Sequence, residues 1–206
     1  MKVKTFIVGS VSTNCYVAYD LDSQTCVIID PGAPAPAVLD FIKDHQLVPQ
    51  AILLTHGHFD HIMGIESILE QYQLPVYAYE AELPLIENAD LNVSAYFGAP
   101  YTYVGAQGVA DRQMLLSPPL DFQVIHTPGH TKGSCCFYHE EDALLFTGDT
   151  LFKESVGRTD VPTGDGEEII QSIKEQLLSL PENVIVYPGH GGPTSILHEK
   201  GFNPYL

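Results

Sequence analysis

Four side chains of types that bind metal ions fall within six residues of one loop: His56, His58, Asp60 and His61. The loop follows a short apolar segment, so the end of a buried strand would fix its backbone, and Gly57 permits a turn. Alternate positions direct His56 and His58 the same way, whereas Asp60 and His61 project from the start of a helix. A lone loop histidine is more often structural, but three His and one Asp at this spacing predict a metal centre.

Three more candidate ligands stand in one repeated context further along the chain. Each of His130, Asp149 and His190 comes shortly after an apolar, strand-like segment, and a glycine directly precedes each of them. Glycine allows an unusual backbone and a close approach to a bulky centre. Three unrelated turn residues are the alternative interpretation, but they would not explain the repetition. We therefore expect four chain segments to converge on one site.

The elements that must position these residues are predicted from hydrophobic periodicity and turn signals. In the first half, we expect a helix that begins after the His-rich loop and includes Ile62, Ile65 and Tyr72, and an irregular stretch over Asp90–Gly108. The remaining elements of this half are strands at Val3–Val8, Cys15–Tyr19, Thr25–Ile29 and Ala51–Leu54, and helices at Pro34–His45 and Glu80–Asn88.

The second half of the chain predicts strands again, and then alternating helices and strands. Strands are expected at Phe122–Ile125, Ser134–Tyr138, Ala143–Phe146 and Val184–Tyr187, and helices at Glu167–Leu180 and Thr194–Glu199. Hairpin strands therefore open each half, and helices follow. This order favours two sheets packed face to face with helices outside, although it does not determine the strand order.

Composition restricts the class of protein. The chain has 206 residues, 45% of them hydrophobic, and a formal charge of −17. Nine Lys and Arg residues cannot readily supply the basic stripe that nucleic acid binding requires, so no nucleic acid partner is expected. No apolar run reaches the roughly 18 residues of a membrane span, and no signal-peptide run opens the chain. Four cysteines outside any CxxC pair predict buried free thiols and a cytoplasmic location.

The motif Thr-His-Gly-His-Phe-Asp-His, taken with the three later ligands, resembles the metallo-β-lactamase superfamily and, within it, the glyoxalase II (hydroxyacylglutathione hydrolase) group. The resemblance implies an αββα sandwich of two mixed β-sheets with helices on the outer faces, as one domain over residues 1–206. Longer members of the group add a C-terminal helical domain that supplies much of the glutathione pocket. We expect no such domain here, as in the short bacterial members. The matching segments are Val11–Cys15, Asp30–Gly32, Gly148–Phe152, Gly157–Asp160 and Pro188–His190.

The resemblance also implies two divalent metal ions and assigns their ligands. Nitrogen and oxygen donors suit zinc, iron or manganese, of which we expect zinc. Position by position, one ion would be bound by His56, His58 and His130, the second by Asp60, His61 and His190, and both by Asp149 as a bridge.

Such a centre is expected to hydrolyse a small-molecule thioester. Two metal ions about 3.5–4 Å apart lower the pKa of a shared water toward about 7, and the resulting hydroxide attacks a carbonyl carbon. A thiolate with a pKa of about 8.5 leaves without a strong general acid. Asp60 and Asp149 are the expected catalytic residues, and Asp60 would also orient the hydroxide. A glutathione-linked substrate fits the resemblance, and the sequence leaves the oligomeric state open.

Arg158 is the leading candidate for substrate binding, because glyoxalase II enzymes carry a basic residue there that contacts glutathione. A guanidinium pairs with a substrate carboxylate through two parallel hydrogen bonds. A structural ion pair with Asp160 or Asp165 explains the same residue equally well. Weaker candidates flank the site: Lys132 and Lys153 as cations, and Phe152, Tyr96 and Phe97 as apolar walls.

Four rival functions are considered for the same residues. A persulfide dioxygenase of this superfamily shares Gly157–Asp160 and holds a single iron with the counterparts of His56, His130 and Asp149. A β-lactamase is disfavoured, since those enzymes lack an Asp at the bridging position and are normally exported; an RNA-processing nuclease is disfavoured by the acidity of the chain. A non-catalytic metal-binding protein is the alternative from another class, and the complete ligand set argues against it.

Overall fold

The first half of the chain builds a six-stranded mixed sheet. The computed structural model describes residues 1–206, and its first six strands are β1 (Lys2–Val8), β2 (Thr13–Asp20), β3 (Thr25–Ile29), β4 (Val48–Leu54), β5 (Val76–Tyr79) and β6 (Gln107–Val109). They lie side by side in chain order. β1, β2 and β3 pair antiparallel, whereas β3 to β6 pair in parallel.

The second half builds a second six-stranded sheet. The strands in this half of the chain are β7 (Met114–Leu115), β8 (Phe122–His126), β9 (Cys135–His139), β10 (Leu144–Gly148), β11 (Leu151–Phe152), β12 (Ser155–Val156), β13 (Ile185–Pro188) and β14 (Thr194–Ser195). The sheet order is β14-β13-β10-β9-β8-β7, and β11 and β12 form a separate hairpin. β13 pairs with β10 in parallel, so the carboxyl ends of these two strands meet at one edge.

Six α-helices connect the strands. They are α1 (Pro36–Asp44), α2 (Phe59–Ile62), α3 (Ile65–Leu69), α4 (Leu83–Ile86), α5 (Gly166–Ser172) and α6 (Ile196–Phe202). A 3₁₀ turn over Glu80–Glu82 precedes α4, another covers Ser94–Phe97, and wider π-type turns continue α5 through Ile173–Leu177. None of these helices combines the length and the apolar character needed to span a bilayer.

Alternation of side chains along the strands creates four layers. Ile29 packs into the core between the two sheets, while its neighbour Ile28 packs under α1, α2 and α3. Cys135 faces the core between the sheets, and Cys136 faces α5. The αββα sandwich predicted from the sequence is confirmed. All four cysteines are free and buried, as expected.

Several element boundaries differ from the predictions. The helix expected from Ile62 to Tyr72 is broken between α2 and α3, because the backbone of the Pro31–Ala33 turn approaches Gly64 so closely that a Cβ there would lie 2.4 Å from the Ala33 carbonyl oxygen. The helix expected over Glu80–Asn88 is a 3₁₀ turn followed by one α-turn. Six short strands of two to four residues were not predicted: β5, β6, β7, β11, β12 and β14. Residues 194 and 195, which form β14, were expected to begin the last helix, which instead begins at Ile196.

Candidate metal centre

The ends of four strands meet at one edge of the sandwich and carry the predicted ligands there. The loop after β4 holds the His-rich motif, and the loops after β8, β10 and β13 hold His130, Asp149 and His190. The backbone binds these loops together: the Gly189 amide donates to the Gly148 carbonyl at 2.7 Å, and the Asn14 amide donates to the Gly189 carbonyl at 2.7 Å.

All seven predicted ligands come together. Asp149 lies between two groups, because its Oδ1 is 3.5 Å from His61 Nε2 and its Oδ2 is 3.7 Å from His130 Nε2. Oδ2 also lies 3.6 Å from His190 Nε2, and that nitrogen is 3.2 Å from Asp60 Oδ2. Three overlapping sets have donor atoms within 4.8 Å of one another: His56, His58 and His130; His56, His61 and Asp149; and Asp60, His61 and His190.

The chemistry of these donor atoms fits a bound metal ion. Nε2 of His56, His58 and His61 and Oδ1 of Asp149 are buried and have no hydrogen-bond partner within the protein. Buried polar atoms are nearly always paired, because an unpaired one loses its hydration without compensation. Bound cations would accept lone pairs from Nε2 of His56 and His61 and from Oδ1 of Asp149, so these orphaned atoms indicate a metal-binding site.

A buried carboxylate fixes two of the histidine rings. Asp30 accepts hydrogen bonds from the Thr55 amide, the Thr55 hydroxyl and His61 Nδ1 at 2.8, 2.7 and 3.0 Å. The Thr55 hydroxyl donates its hydrogen bond to Asp30, so its oxygen can accept one from His56 Nδ1, 3.2 Å away. In both rings Nδ1 is the donor, and Nε2 is the nitrogen left to bind a metal ion.

His130 is oriented by a carbonyl group from the cleft wall. Its Nδ1 donates to the main-chain oxygen of Arg158 at 2.7 Å, which leaves the lone pair on Nε2. That nitrogen lies 2.9 Å from Nδ1 of His58. The two ring nitrogens thus converge at the separation expected of two ligands of one ion.

Charge is distributed unequally over the site. Burial and the neighbouring imidazoles lower the pKa of His58 to about 3. Burial acts in the same direction on His61, but nearby carboxylates, Asp60 foremost, raise the pKa of His61 to about 10. Burial would raise the pKa of Asp60, yet His61 and hydrogen bonds from His190 and Thr13 hold it below its usual range. One side of the site is therefore neutral and the other is an ionised acid–base cluster.

Three glycines next to the ligands have no room for a side chain. A Cβ on Gly189 would lie 2.1 Å from Asp149 Oδ1 and 2.8 Å from His61 Cε1. Gly148 has a φ of +48°, and a Cβ there would lie 2.1 Å from the Thr55 hydroxyl oxygen. Gly129 has a φ of +131°, and a Cβ there would lie 2.2 Å from the Ile169 amide nitrogen, so close packing requires a glycine before each of the three late ligands.

Five of the seven ligands, all except His56 and His61, form the floor of a cleft of about 380 Å³. Its wall is apolar on one side, where Phe97 stacks on Phe59 with ring centroids 4.4 Å apart. Arg158 and Asp160 stand opposite, joined by two hydrogen bonds of 2.7 and 2.9 Å. The lining residues are Val11, His58, Phe59, Asp60, Val93, Tyr96, Phe97, His130, Asp149, Arg158, Asp160, Val161, Pro162 and His190.

The structure places the substrate-binding candidates unequally. Arg158 lines the cleft and also pairs with Asp160, so both interpretations of this residue describe the same side chain; Asp165 instead caps α5. Lys132 does not line the cleft, because the turn after His130 directs its side chain to solvent. Phe152 and Lys153 belong to the β11–β12 hairpin, also outside the lining, although the Phe152 ring lies 6.3 Å from that of His190.

The remaining histidines lie outside the cluster. His126 stacks on Tyr79 at 4.0 Å, and its Nε2 bonds to the Lys132 carbonyl oxygen at 3.0 Å. His45, His139 and His198 likewise have hydrogen-bond partners elsewhere. These four side chains are accounted for by local contacts.

Sequence reasoning missed residues that support the ligands. Asp30 follows a buried strand directly, as the ligands do, and that placement is a signal that could have identified it. Thr13, whose hydroxyl donates to Asp60 Oδ2 at 2.7 Å, and Glu82 have no comparable signature. Val11, Val161 and Pro162 line the cleft only because distant loops meet there.

Comparisons with known proteins agree with this geometry. The family model described as the metallo-beta-lactamase superfamily matches residues 8–190. The chain is 36% identical to the probable metallo-hydrolase YqgX of Bacillus subtilis (100% of this chain, 98% of that protein). It is 32% identical to the hydroxyacylglutathione hydrolase GloC of Haemophilus influenzae, with the same coverage.

Two solved structures share the whole fold. The crystal structure of the BLEG-1 B3 metallo-beta-lactamase has a TM-score of 0.93 and 40% identity, covering 100% of this chain and 99% of that one. TTHA1623, solved in a di-iron-bound form, has a TM-score of 0.88 and 38% identity, covering 98% of this chain and 100% of that one. With the family match spanning most of the sequence, the chain belongs to the metallo-β-lactamase superfamily.

Proposed function

We propose that the protein is a metal-dependent thioesterase of the hydroxyacylglutathione hydrolase type. The observation that carries this proposal is the position of Asp149, whose carboxylate lies within 3.7 Å of histidine nitrogens from both clusters at the floor of one cleft. The 32% identity to GloC, over the full length of this chain, supports the choice of thioesters among the substrates of metallo-hydrolases.

The ligand assignment is part of the proposal. Bound divalent cations would supply Lewis acidity, which lowers the pKa of water and polarises a carbonyl oxygen. Zinc is our expectation, and the di-iron form of TTHA1623 makes iron the first alternative to test, before manganese. His56, His58 and His130 would hold one ion, Asp60, His61 and His190 the other, and Asp149 both.

Residues of the chain then orient the attacking water and bind the two ends of the substrate. Thr13 and His190 hold the Asp60 carboxylate so that one of its oxygens remains directed into the cleft, where it can orient a water molecule. Arg158, 67% exposed at the side chain, can exchange Asp160 for a substrate carboxylate. The apolar wall around Phe97 suits the acyl group. Water adds to the carbonyl carbon, the carbon–sulfur bond breaks, and the products are a carboxylic acid and a thiol.

The proposal is tested by assaying the protein loaded with zinc, iron or manganese on S-D-lactoylglutathione. The expected result is stoichiometric release of glutathione and lactate, abolished by a chelator and restored by the metal. A metal-loaded protein that releases no thiol from this or other thioesters would overturn the proposal. Such a result would favour one of the rival functions, including a non-catalytic metal-binding protein.

β-Lactam hydrolysis is a second candidate, favoured by the 40% identity to BLEG-1. Asp149 at the bridging position argues against β-lactam hydrolysis, because β-lactamases of this superfamily lack an Asp there. The same preparations should therefore be assayed with nitrocefin, and turnover comparable to that of the thioester would favour the β-lactam.

Persulfide dioxygenation requires one iron and molecular oxygen. The close approach of Asp60, His61 and His190 supports a second ion instead. Oxygen uptake with glutathione persulfide, by a protein holding one iron per chain, would replace the thioesterase proposal.

A further inference from the structure

Glu82 is a buried carboxylate that contacts both loops of one histidine cluster. It stands at the end of the 3₁₀ turn before α4, and only 1% of its surface is exposed. The Gly57 amide donates to its Oε1 at 2.8 Å, and the Gly133 amide donates to its Oε2 at 2.9 Å. The Thr131 hydroxyl lies 2.9 Å from each oxygen. No lysine or arginine takes part in these contacts.

The partners of Glu82 frame three proposed ligands. Gly57 separates His56 from His58, and Thr131 directly follows His130. One carboxylate therefore joins two loops more than 70 positions apart in the sequence. We propose that Glu82 is the positioning residue of the cluster formed by His56, His58 and His130, which it holds in register for the binding of one metal ion.

Tight packing supports this role independently of the hydrogen bonds. A Cβ on Gly133 would lie 2.4 Å from the Glu82 amide nitrogen, and a Cβ on Gly57 would lie 2.5 Å from Ile86 Cγ1. The segment from Glu82 to Ile86 thus presses against both ligand loops. Neither loop can move toward this segment, and the hydrogen bonds keep both loops from moving away.

The other cluster is held by different residues. The Thr13 hydroxyl donates to Asp60, Asp30 accepts from His61, and the Asn14 side chain donates to the Pro188 carbonyl at 2.9 Å. None of these contacts involves Glu82 or its partners. Loss of Glu82 should therefore weaken one metal site selectively, whereas a merely structural residue would lower stability without distinguishing the two sites.

The hydrogen-bond partners of Glu82 explain why a carboxylate is required at this position. Every partner is a donor, and a glutamine would have to place its NH₂ group against the Gly57 or the Gly133 amide. A buried donor without an acceptor loses its hydration and gains no hydrogen bond in exchange, which destabilises the folded protein. Burial raises the pKa of Glu82 to about 7, against the effect of its hydrogen bonds, so binding measurements belong at about pH 8, where the carboxylate is ionised.

The test is a zinc titration of metal-free protein at pH 8 in competition with a chromophoric chelator, which resolves two dissociation constants. His58→Ala and His190→Ala assign the two steps. Glu82→Gln is expected to weaken the His58 step by about 10–100-fold, the usual effect of losing a partner behind the ligands, and to leave the His190 step unchanged. Thr13→Val, the matched control, is expected to weaken only the His190 step.

Two milder substitutions of Thr131 test the same role if Glu82→Gln fails to fold. Thr131→Val removes one donor and leaves the carboxylate in place, so it should weaken the His58 step less; Thr131→Ser keeps the hydroxyl and should bind like the unmodified protein. Unchanged binding in Glu82→Gln and Thr131→Val, or equal weakening of both steps, would overturn the role of Glu82. This inference rests on the metal sites of the proposed function, and an unmodified protein that binds no metal would overturn both.

Discussion

Oδ2 of Asp149 lies 3.7 Å from Nε2 of His130 in one cluster and 3.6 Å from Nε2 of His190 in the other. A carboxylate so placed can serve two cations at once, and the two-metal mechanism depends on this geometry.

Asp149→Ala should remove the ligand that both ions share. We expect activity to fall by about 10³-fold or more, since several kcal/mol of transition-state stabilisation are lost. Metal content, measured by atomic emission after gel filtration, should fall with it. Asp22→Ala, in the exposed turn after β2, is the control and should behave like the unmodified protein. Full metal loading of Asp149→Ala would contradict the bridge.

Gly189→Ala should displace Asp149 without removing any ligand. The new methyl group would need the space that Asp149 Oδ1 occupies, so the carboxylate must move. A displacement of about 1 Å at a catalytic centre costs roughly 10²-fold in rate. Gly192→Ala, where nothing lies within 4 Å of the added Cβ, is the matched control. The measurement is kcat for both variants, and equal values would show that the packing does not position Asp149.

Arg158→Ala should raise KM for an anionic thioester and leave kcat nearly unchanged, because the contact forms equally in the ground state and the transition state. The melting temperature should not change, since both members of the Arg158–Asp160 pair are largely exposed. Lys200→Ala removes a comparable exposed pair, with Glu182 on the outer face, and should alter neither quantity. A destabilised Arg158→Ala with normal KM would assign Arg158 a structural role instead.

Metal binding should release protons from one cluster only. His61, with its pKa raised to about 10, is protonated at pH 7 in the metal-free protein, and a protonated imidazole cannot bind a cation; the pKa of His190 is shifted in the same direction. His58, with a pKa of about 3, is already neutral. Above about pH 8, where Glu82 is already ionised, the affinity of the His61 cluster should therefore keep rising toward about pH 9, while that of the His58 cluster stays flat.

Calorimetric titrations in two buffers of different ionisation enthalpy provide the measurement. The observed heat of the step assigned to the His61 cluster should depend on the buffer, whereas the heat of the other step should not. Buffer-independent heats for both steps would show that His61 is neutral before the metal binds.

The sequence predicted the site better than it predicted the elements between its parts. Ligands at strand ends are identifiable because residue type, a preceding glycine and an apolar strand coincide, as at Asp149. Strand β5 and the break before α3 depend on contacts with distant segments, such as the Pro31–Ala33 turn at Gly64, and local patterns do not record such contacts. The role of Glu82 was not predicted for the same reason, since its hydrogen-bond partners lie 25 and about 50 positions away in the sequence.

Substrate contacts were predicted least well. Lys132 and Phe152 are close to ligands in the sequence, yet backbone direction takes both side chains out of the cleft. Tyr96 and Phe97 line it, although they come from a segment with no regular pattern. Proximity in sequence therefore identifies the catalytic floor of this cleft, while its walls depend on how loops fold over it.

The most direct test of the central claim is a metal titration of metal-free protein, followed simultaneously by thiol release from S-D-lactoylglutathione and by oxygen consumption. We predict that hydrolysis reaches its maximum at two ions per chain, with no oxygen consumed. A protein that holds one iron per chain, consumes oxygen with glutathione persulfide and cleaves no thioester would contradict the two-metal thioesterase.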